Sequence, residues 1–270
     1  MPELPEVETT RRGLAPHCVG SRLTQIVVRD RRLRWPVPSD LEGTLVHQRL
    51  RVLTRRAKYL LFEFEAGTLV AHLGMSGSLR VLLQPEEPAR HDHIDLSFDN
   101  GATLRYNDPR RFGSFLWYPQ GESIDPLRRL GPEPLDAGFS GAHLYALSRG
   151  RRQAVKPFIM DASIVVGVGN IYATEALFLA GIRPDRAAGR VSAQRYEVLS
   201  DRIKQVLANA IQQGGTTLRD FVGGDGQPGY FAQDLVAYGR AGAPCVLCGR
   251  PLRSKVIGQR ASVFCVACQR

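Results

Sequence analysis

The 270-residue sequence predicts an α+β protein with more than one domain. Short runs of apolar and β-branched residues, separated by turn signals, fill the first half of the chain. Longer segments with helical periodicity replace them after about residue 135, and four of the five cysteines follow beyond residue 240. Because the three regions differ in pattern, we expect three folding units in the order β-rich, helical and cysteine-rich.

The N-terminal unit, expected over residues 1–134, is predicted to consist of β-strands preceded by one helix. Pro5 suits the first turn of that helix, where a missing N–H leaves no hydrogen bond unmade. The clearest strand patterns are Leu23–Val28, Tyr59–Phe64, Thr68–Leu73 and His93–Phe98. Asp99-Asn100-Gly101 predicts a hairpin turn before a further strand at Thr103–Tyr106. Short strands at this spacing favour a sandwich or a barrel over a parallel sheet.

A helical unit is expected next, over residues 135–230. The proline- and glycine-rich segment Leu130-Gly131-Pro132-Glu133-Pro134 marks its boundary. Helices are predicted over Gly141–Ser148, Asn170–Ala180 and Ser192–Gln213. Ser192 can cap the last helix, and Gly181 and Gly214 stand where helices commonly end. Residues 214–229 hold six glycines and one proline, which predicts a long loop.

The C-terminal unit, residues 237–270, carries the spacing Cys245-x2-Cys248-x16-Cys265-x2-Cys268. Two such CxxC pairs place four thiolates around one tetrahedral zinc ion, and the gap between them fits a β-hairpin. Four thiolates leave no position for water, so we expect one structural Zn2+ ion. Disulfide bonds are the alternative, but the chain shows no secretory features. Cys18 is isolated and is predicted to be a buried structural thiol.

The charge balance indicates a nucleic-acid partner. Lysine and arginine number 36 against 26 aspartates and glutamates, which leaves a net charge of +10 and a pI near 9.8. Six of the cations lie in the cysteine-rich unit and suggest that it faces phosphate: Arg240, Arg250, Arg253, Lys255, Arg260 and Arg270. The other lysines are Lys58, Lys156 and Lys204, so an ammonium group is rare in this chain and indicates a position that needs one.

Sequence patterns also predict where the protein acts. No stretch approaches the roughly 18 consecutive apolar residues of a membrane span, and no signal peptide is visible. We therefore expect a cytoplasmic protein with no membrane partner. No oligomerisation pattern appears in the sequence, so we expect a monomer.

The N-terminal residues offer a reactive group. Removal of Met1 would expose the secondary amine of Pro2, which should titrate near pH 8 and is therefore partly neutral at physiological pH. Attack of this amine on a sugar C1′ gives a cationic iminium, which eases loss of the C2′ proton and of the 3′-phosphate. Glu3 could transfer protons beside it. The dipeptide alone does not identify an enzyme, because many processed chains begin in this way.

A resemblance to a known family supports a catalytic role for Pro2 and Glu3. Pro2-Glu3-Leu4-Pro5-Glu6-Val7-Glu8-Thr9, together with the cysteine pairs and the segments described next, closely resembles bacterial formamidopyrimidine-DNA glycosylase. The resemblance extends in order over essentially all 270 residues. It implies an N-terminal β-sandwich with flanking helices, a helix-two-turns-helix domain and a zinc-finger hairpin, with double-stranded DNA bound between domains.

The resemblance also implies an activity. Members of this family are bifunctional DNA glycosylases and apurinic/apyrimidinic-site (AP) lyases of base excision repair. They excise 8-oxoguanine opposite cytosine, and formamidopyrimidines, and then cut the strand by β,δ-elimination. A bacterial enzyme of this kind would be associated with the nucleoid through DNA binding.

Four catalytic residues follow from the resemblance. Pro2 would attack C1′ and Glu3 would act as the proton donor. Lys58, within Arg55–Leu60, would donate a proton in β-elimination and contact phosphate. Arg260, in Gly258-Gln259-Arg260, would assist δ-elimination. Because an arginine stays charged, we interpret it as a phosphate clamp and electrostatic catalyst.

A second group of residues is predicted to act when the damaged base is flipped out of the duplex. A stacked base must leave the duplex before C1′ can be attacked, and the hole must be filled. By resemblance, Met75 would enter the hole, Phe112 would wedge beside it and Arg110 would hydrogen-bond the orphaned cytosine. Arginine donors suit cytosine O2 and N3, which predicts discrimination against adenine opposite the lesion.

The remaining contacts are with phosphate and with the flipped base. Asn170 would bind phosphate at a helix N-terminus reached through Gly167 and Gly169. A dinucleotide-binding loop is rejected there because Tyr172 replaces the third glycine. Further DNA contacts are predicted at His91, Arg151 and Lys156. The loop 215–230 is predicted to cap the lesion.

Two alternatives stay open at this point. One is the related endonuclease VIII type, which acts on oxidised pyrimidines with the same proline chemistry. Leu4, the Arg110-Arg111-Phe112 segment and the loop 215–230 favour the purine enzyme. The other alternative is a non-catalytic zinc-finger DNA-binding protein, which would need neither the Pro2 amine nor Glu3.

Overall fold

A computed structural model describes residues 2–214 and 235–270 of the protein. Their contacts divide the chain into two compact units. The first unit is built mainly from the residues up to Arg128, and the second from Arg129–Gln212 together with residues 235–270. No helix within the described ranges combines the length and the apolar character needed to cross a membrane. The limits predicted for three domains, at residues 134, 135, 230 and 237, stay predictions.

The first unit begins with a helix and continues mainly as strands. Glu3 caps helix α1, and Pro5 lies in its first turn as predicted. The elements are α1 (Leu4–Cys18), β1 (Leu23–Val28), α2 (Leu41–Leu45), β2 (Val52–Arg56), β3 (Tyr59–Glu63), β4 (Gly67–His72), β5 (Ser78–Leu82), β6 (Asp92–Phe98), β7 (Thr103–Asn107) and β8 (Ser114–Pro119). The five strands expected from the sequence are all present, whereas β2, β5, β8 and α2 were not predicted.

These strands form a β-sandwich. One antiparallel sheet has the order β1-β6-β7-β5 and the other the order β2-β3-β4-β8. Ile94 and Leu104 from the first sheet and Phe62 and Phe115 from the second are buried in the same hydrophobic core. The predicted hairpin joins β6 to β7, where Ser97 pairs with Thr103 and Gly101 takes a positive φ of 88°. The sandwich alternative is therefore confirmed over the barrel.

Cys18 lies at the end of α1 within this core. Its side chain is fully buried, and its Sγ contacts the Leu14 carbonyl oxygen at 3.2 Å. Burial raises the pKa of the Cys18 thiol to about 12. The prediction of a buried structural thiol is confirmed.

The second unit is helical and ends in a β-hairpin. Its elements are α3 (Gly141–Ser148), α4 (Val155–Met160), α5 (Asn170–Leu179), α6 (Ala193–Gln212), β9 (Arg253–Ile257) and β10 (Arg260–Phe264). The backbone N–H of Arg195 donates to Ser192 Oγ at 3.4 Å, so Ser192 caps α6 as predicted. Gly181 and Gly214 take positive φ beyond the ends of α5 and α6. Helix α4 was not predicted.

The cysteine-rich hairpin is packed against the helices of this unit. Phe178 of α5 shares a small core with Leu252, Val263 and Cys265. The Gln269 side chain accepts from the Cys265 backbone N–H and donates to the Ile182 carbonyl oxygen, both at 2.8 Å. The hairpin therefore has a fixed position relative to α5. A mixed α+β architecture with a sandwich, a helical unit and a C-terminal hairpin confirms the predicted fold class.

Candidate active site and DNA-contact residues

Pro2 and Glu3 lie directly before helix α1, and both are buried. The Glu3 carboxylate accepts a hydrogen bond from the Glu6 backbone N–H, while the Glu6 carboxylate accepts from the Glu3 backbone N–H at 2.8 Å. This reciprocal capping box fixes the start of the helix. The predicted nucleophile and its neighbouring carboxyl group are thus held at a defined position and are not part of a frayed terminus.

Lys58 occupies the two-residue turn between β2 and β3, after Ala57, which has a φ of 56°. Helix α1 is tied to this turn through Arg55, which donates to the Glu8 carboxylate at 3.3 Å and to the Ala57 carbonyl oxygen at 2.9 Å. Burial alone would raise the pKa of Glu8. Hydrogen bonds from Arg11 and Arg12 and the charges of Arg11 and Arg55 nevertheless hold it below its usual value. An ionised Glu8 therefore links the helix that follows Pro2 to the turn that carries Lys58.

His72 is a residue of this region that sequence reasoning overlooked. It ends β4 opposite Tyr59 of β3, and the two ring centroids are 4.9 Å apart. Burial, followed by the charges of Lys58 and Arg34, lowers the pKa of His72 to about 4. His72 Nδ1 accepts from the Gly74 backbone N–H at 3.0 Å, so the neutral ring carries its proton on Nε2. The sequence feature that could have identified His72 is its position at the end of a strand, directly before the predicted Met75 segment.

The three residues predicted to act where the nucleotide is flipped out, Met75, Phe112 and Arg110, lie on two loops of the first unit. Residues 73–77 form the Met75 loop, and residues 108–113 form the Arg110 loop. Met75 is half-buried, whereas Arg110 is exposed and the Phe112 side chain is 43% exposed. The Arg110 guanidinium carbon lies 4.7 Å from the centroid of the Phe112 ring. Phe112 and Arg110 are stacked on each other at the surface and are not packed in the core. Both side chains are therefore available to contact DNA.

Asn170 is the first residue of helix α5 in the second unit. Gly169 caps the helix, and Gly167 has a φ of 80°, so the glycines lead into a helix start as predicted. Asn170 Oδ1 is buried and has no hydrogen-bond partner among the described residues. A helix N-terminus favours a bound anion such as phosphate, because its dipole is positive there.

The other predicted DNA contacts differ in exposure. Arg151 is exposed after α3 and donates from Nε to the Leu147 carbonyl oxygen at 3.1 Å. His91 is half-buried just before β6, in the first unit. Lys156 is fully buried, and its Nζ donates to the Ala261 carbonyl oxygen at 3.0 Å and to Ser262 Oγ at 2.8 Å. This ammonium links α4 to β10, and its phosphate contact stays a prediction.

Arg260 is the first residue of β10 and is exposed. The turn before it consists of Gly258 and Gln259, with φ of 55° and 61°. Two consecutive positive φ values match the twist of a tight two-residue hairpin. Lys156 donates hydrogen bonds to Ala261 and Ser262 of the same strand, directly after Arg260. The geometry therefore holds Arg260 at the tip of an anchored hairpin.

The four cysteines at the base of this hairpin form a metal-binding arrangement. Their Sγ atoms all lie within 4.8 Å of one another. Cys245 and Cys268 are separated by 4.0 Å, and Cys248 and Cys265 by 3.5 Å. A tetrahedral ion with metal–sulfur bonds of about 2.3 Å places its ligands about 3.8 Å apart. The donor set therefore fits one tetrahedral metal ion.

The predicted residues are divided between the two units. Pro2, Glu3, Lys58 and the two loops belong to the first unit, as does His91. Asn170, Arg151, Lys156, Arg260 and the cysteines belong to the second unit. The predicted lesion-capping loop 215–230 lies outside the described residues.

Family models match most of the chain. The formamidopyrimidine-DNA glycosylase N-terminal domain matches residues 1–115. The formamidopyrimidine-DNA glycosylase H2TH domain, the helix-two-turns-helix module, matches residues 130–222. The two matches follow the order expected from the sequence.

Known proteins are similar over the full length. The formamidopyrimidine-DNA glycosylases of Pseudomonas putida strain W619 and Pseudomonas fluorescens strain SBW25 are 62% and 61% identical, with all of both chains covered. The crystal structure of Thermus thermophilus MutM (Fpg) is 40% identical and has a TM-score of 0.88, with 99% of this chain and 98% of that chain covered. The Lactococcus lactis Fpg complex with abasic-site DNA is 30% identical, with a TM-score of 0.92 and 99% of each chain covered. The chain therefore belongs to the formamidopyrimidine-DNA glycosylase family.

Proposed function

We propose that this protein is a bifunctional DNA glycosylase and AP lyase of base excision repair that acts on oxidised purines through Pro2. Its partner is double-stranded DNA with 8-oxoguanine opposite cytosine, a formamidopyrimidine or an abasic site. Solved relatives contain Fapy-dG DNA, abasic-site DNA and carbocyclic 8-oxo-G DNA. The observation that carries the proposal is the capped, buried Pro2–Glu3 start of α1, in the same unit as the Lys58 turn. A bacterial enzyme with this substrate would work in the cytoplasm, at the nucleoid.

The chemistry requires a mature chain that begins at Pro2. Its neutral secondary amine attacks C1′, and the C1′–N bond to the base breaks as the base leaves with a proton. The Pro2 nitrogen then loses its proton, and the C1′–O4′ bond breaks as O4′ takes up a proton, which leaves an iminium between Pro2 and the ring-opened sugar. This cation accepts the electron pair released when the C2′ proton is removed, and the 3′-phosphate then departs.

Glu3 and Lys58 are proposed to move the protons. The capping box holds the Glu3 carboxyl group next to Pro2, where it can donate a proton during base departure. Lys58 lies on a tight turn, and its ammonium can contact phosphate and donate a proton during β-elimination. Arg260 stays charged and is proposed to clamp a phosphate and favour its departure in δ-elimination.

The two loops are proposed to replace the flipped nucleotide. Met75 fills the vacated space, Phe112 wedges beside it and Arg110 donates to O2 and N3 of the orphaned cytosine. Unstacking costs a few kcal/mol, which apolar contacts in the hole help to offset. His91, Arg151 and Asn170 are proposed to contact the DNA backbone, whereas the fully buried Lys156 is proposed to hold the strand that carries Arg260. The loop 215–230 is proposed to cap the base.

Zinc is the proposed ion of the four-cysteine site. Cys245, Cys248, Cys265 and Cys268 would hold it, and a closed four-thiolate site supplies structure and no reactive water. We expect one zinc per chain by colorimetric assay after thiol modification. Cys248→Ser should release the metal and lower DNA affinity by loosening the hairpin that carries Arg260. Cys18→Ala is the matched control and should retain the zinc, since Cys18 is buried in the other unit.

Borohydride trapping tests the proposed nucleophile. The enzyme is mixed with an 8-oxoguanine:cytosine duplex and sodium borohydride, and a covalent protein–DNA adduct is expected because the iminium is reduced to a stable amine. The matched control is the same chain with a residue retained before Pro2, whose nitrogen is then an amide. An adduct of equal yield with the blocked chain would show that Pro2 is not the nucleophile.

A second experiment separates the purine enzyme from the endonuclease VIII type. Single-turnover excision is compared on 8-oxoguanine:cytosine and thymine-glycol:adenine duplexes. We expect faster excision of 8-oxoguanine, because Arg110 and Phe112 stand together on the exposed loop. Faster excision of thymine glycol would overturn the proposed substrate while leaving the Pro2 chemistry intact.

A further inference from the structure

Asp108 lies at the base of the Arg110 loop and is completely buried. Its Oδ1 accepts from Ser76 Oγ at 2.9 Å and from the Arg110 backbone N–H at 3.3 Å. Its Oδ2 accepts from Tyr106 Oη at 2.9 Å and from the Gly113 backbone N–H at 2.9 Å. A buried carboxylate is costly unless it is well hydrogen-bonded, and four donors satisfy this one.

These donors come from both loops. Ser76 belongs to the Met75 loop, whereas Arg110 and Gly113 belong to the Arg110 loop. The backbone of Asp108 is also fixed, because its carbonyl oxygen lies 2.9 Å from Nε2 of the buried His93. One carboxylate therefore joins two loops that are more than 30 residues apart in sequence.

The two loops also touch directly, at positions where only glycine fits. A Cβ built on Gly74 would lie 2.5 Å from the backbone of Phe112 and Gly113. A Cβ on Gly77 would lie 2.7 Å from Tyr106 Oη, and one on Gly113 would lie 1.7 Å from the same atom. The Tyr106 hydroxyl thus lies between the loops, and burial together with the charge of Asp108 raises its pKa. It stays protonated and donates to the carboxylate.

We propose that Asp108 is a positioning residue that locks the Met75 loop and the Arg110 loop into one rigid element, so that Met75, Phe112 and Arg110 enter DNA together. The proposal rests on the function proposed above for those three side chains. Asp108 touches no base itself. It acts by fixing the backbone of Arg110 and, through Ser76, the backbone beside Met75.

A rigid element has a functional advantage at this point of the reaction. The hole left by the flipped nucleotide must be filled while the opposite base is read, since an empty hole favours return of the lesion. Arginine discriminates cytosine from adenine only if its donors stand at the correct height in the duplex. If the loops moved independently, filling by Met75 would not place Arg110. Ser76 lies on the Met75 loop, whereas the opposite base is read by Arg110 on the other loop. Loss of the Ser76–Asp108 hydrogen bond should therefore weaken the discrimination between cytosine and adenine by Arg110.

Two substitutions test this coupling. Ser76→Ala removes the hydroxyl that joins the Met75 loop to Asp108. Asp108→Asn keeps an acceptor for Tyr106 and Gly113, and its amide can donate to Ser76 Oγ, but the Arg110 backbone N–H loses its acceptor. Ser97→Ala is the matched control, because it removes a half-buried hydroxyl hydrogen-bonded to Thr103 Oγ1 on a strand of the same unit.

The measurement is the ratio of single-turnover excision rates from 8-oxoguanine:cytosine and 8-oxoguanine:adenine duplexes. A folding defect lowers the active fraction equally for both duplexes and cancels in the ratio. We expect Ser76→Ala and Asp108→Asn each to lower the preference for cytosine by about fivefold, the effect of one typical hydrogen bond. Ser97→Ala should keep the wild-type ratio, and all three variants should still cleave abasic-site DNA.

Each other outcome contradicts the proposal. Wild-type ratios in both variants would mean that the carboxylate does not position Arg110. A reduced ratio in Asp108→Asn alone would show that the two loops are not coupled, and a reduced ratio in Ser76→Ala alone would exclude the carboxylate as the link. A wild-type enzyme that neither excises the lesion nor forms the borohydride adduct would instead contradict the proposed function, and the inference with it.

Discussion

His72 is held neutral by a combination of burial and neighbouring cations. Its lowered pKa, about 4, lies well below the usual value near 6.5. The ring stands beside the Lys58 turn and accepts a hydrogen bond from Gly74, the first glycine of the Met75 loop. A neutral ring suits this place, because a second positive charge would oppose the Lys58 ammonium.

This depressed pKa predicts a pH dependence of stability. Between pH 6.5 and 4 the unfolded chain binds a proton at His72 that the folded chain does not, so stability is present above pH 6.5 and is lost as the pH falls. The free energy of unfolding should fall by about 2 kcal/mol from this residue between pH 7.5 and 5. His72→Asn retains an acceptor for Gly74 but cannot titrate, so urea unfolding at the two pH values should show a smaller difference. An unchanged difference would mean that His72 titrates normally in the folded protein.

Lys58 offers a second prediction at the scale of one residue. Lys58→Arg keeps a positive charge for phosphate but removes an ammonium that can give up its proton. We expect β-elimination at an abasic site to slow by about 100-fold or more, the size of a general acid–base contribution. Affinity for an uncleavable abasic analogue should change by less than about threefold. Lys204→Arg, on helix α6 of the other unit, is the control. Equal losses of rate and affinity would assign Lys58 to phosphate binding alone.

Local sequence signals predicted some elements, while others depend on partners that are distant in sequence. The hairpin between β6 and β7 follows from Asp99-Asn100-Gly101, and helix α6 from its cap and its terminal glycine. Strand β2 was missed because Arg55 and Arg56 look like surface residues, yet Arg55 pairs with Glu8 of α1. Helix α4 was missed because it has six residues, including a proline.

The same distinction applies to the candidate site. Cysteine spacing predicted the metal-binding group, and its Sγ atoms do converge. The resemblance named Met75, Arg110 and Phe112, of which Arg110 and Phe112 are exposed and Met75 is half-buried. Asp108 could not be found in this way, because its importance depends on donors from two loops. The burial of Lys156 likewise depends on β10, about 100 residues further along the chain.

Helix α5 carries a buried carboxylate, Glu175, that holds a segment outside the helix in place. Glu175 accepts backbone hydrogen bonds from Val236 at 2.9 Å, Ala237 at 2.9 Å and Tyr238 at 2.7 Å. Burial raises its pKa although these donors and the charge of Arg240 oppose the shift. One side chain of α5 thus fixes residues 236–238, the segment that leads into the cysteine-rich hairpin.

Glu175→Gln should loosen that segment. The amide oxygen can still accept from Ala237 and Tyr238, but the amide nitrogen then faces the Val236 N–H and leaves it unpaired. An unsatisfied buried donor costs about 1–3 kcal/mol, so amide exchange at these three residues should accelerate. Gln269, which binds the hairpin from its other end, should keep its protection and serves as the internal reference. Uniform acceleration of both segments would indicate global destabilisation rather than local release.

At the scale of the whole molecule, the positive charge is concentrated in one unit. The second unit, Arg129–Gln212 with Gln233–Arg270, holds 17 lysines and arginines against 8 aspartates and glutamates, a net charge of +9. The rest of the chain holds 19 against 18, a net charge of +1, and together they give the total of +10. In the first unit many arginines are neutralised within the fold, as in the pairs of Arg29 and Arg105 with Asp95. The second unit is therefore the main source of electrostatic attraction for DNA.

This asymmetry predicts how salt affects DNA binding. Each cation that neutralises a phosphate releases counterions, so the logarithm of the association constant falls with the logarithm of salt concentration by about 0.9 per contact. Arg253→Gln, an exposed position on β9, should reduce that slope by nearly one for undamaged duplex DNA. Arg49→Gln, an exposed arginine of the first unit that donates to the Gly20 carbonyl oxygen, should leave it unchanged. Fluorescence anisotropy between about 50 and 200 mM salt would measure both slopes. Equal reductions in the two variants would show that non-specific affinity is shared by both units in spite of their different net charges.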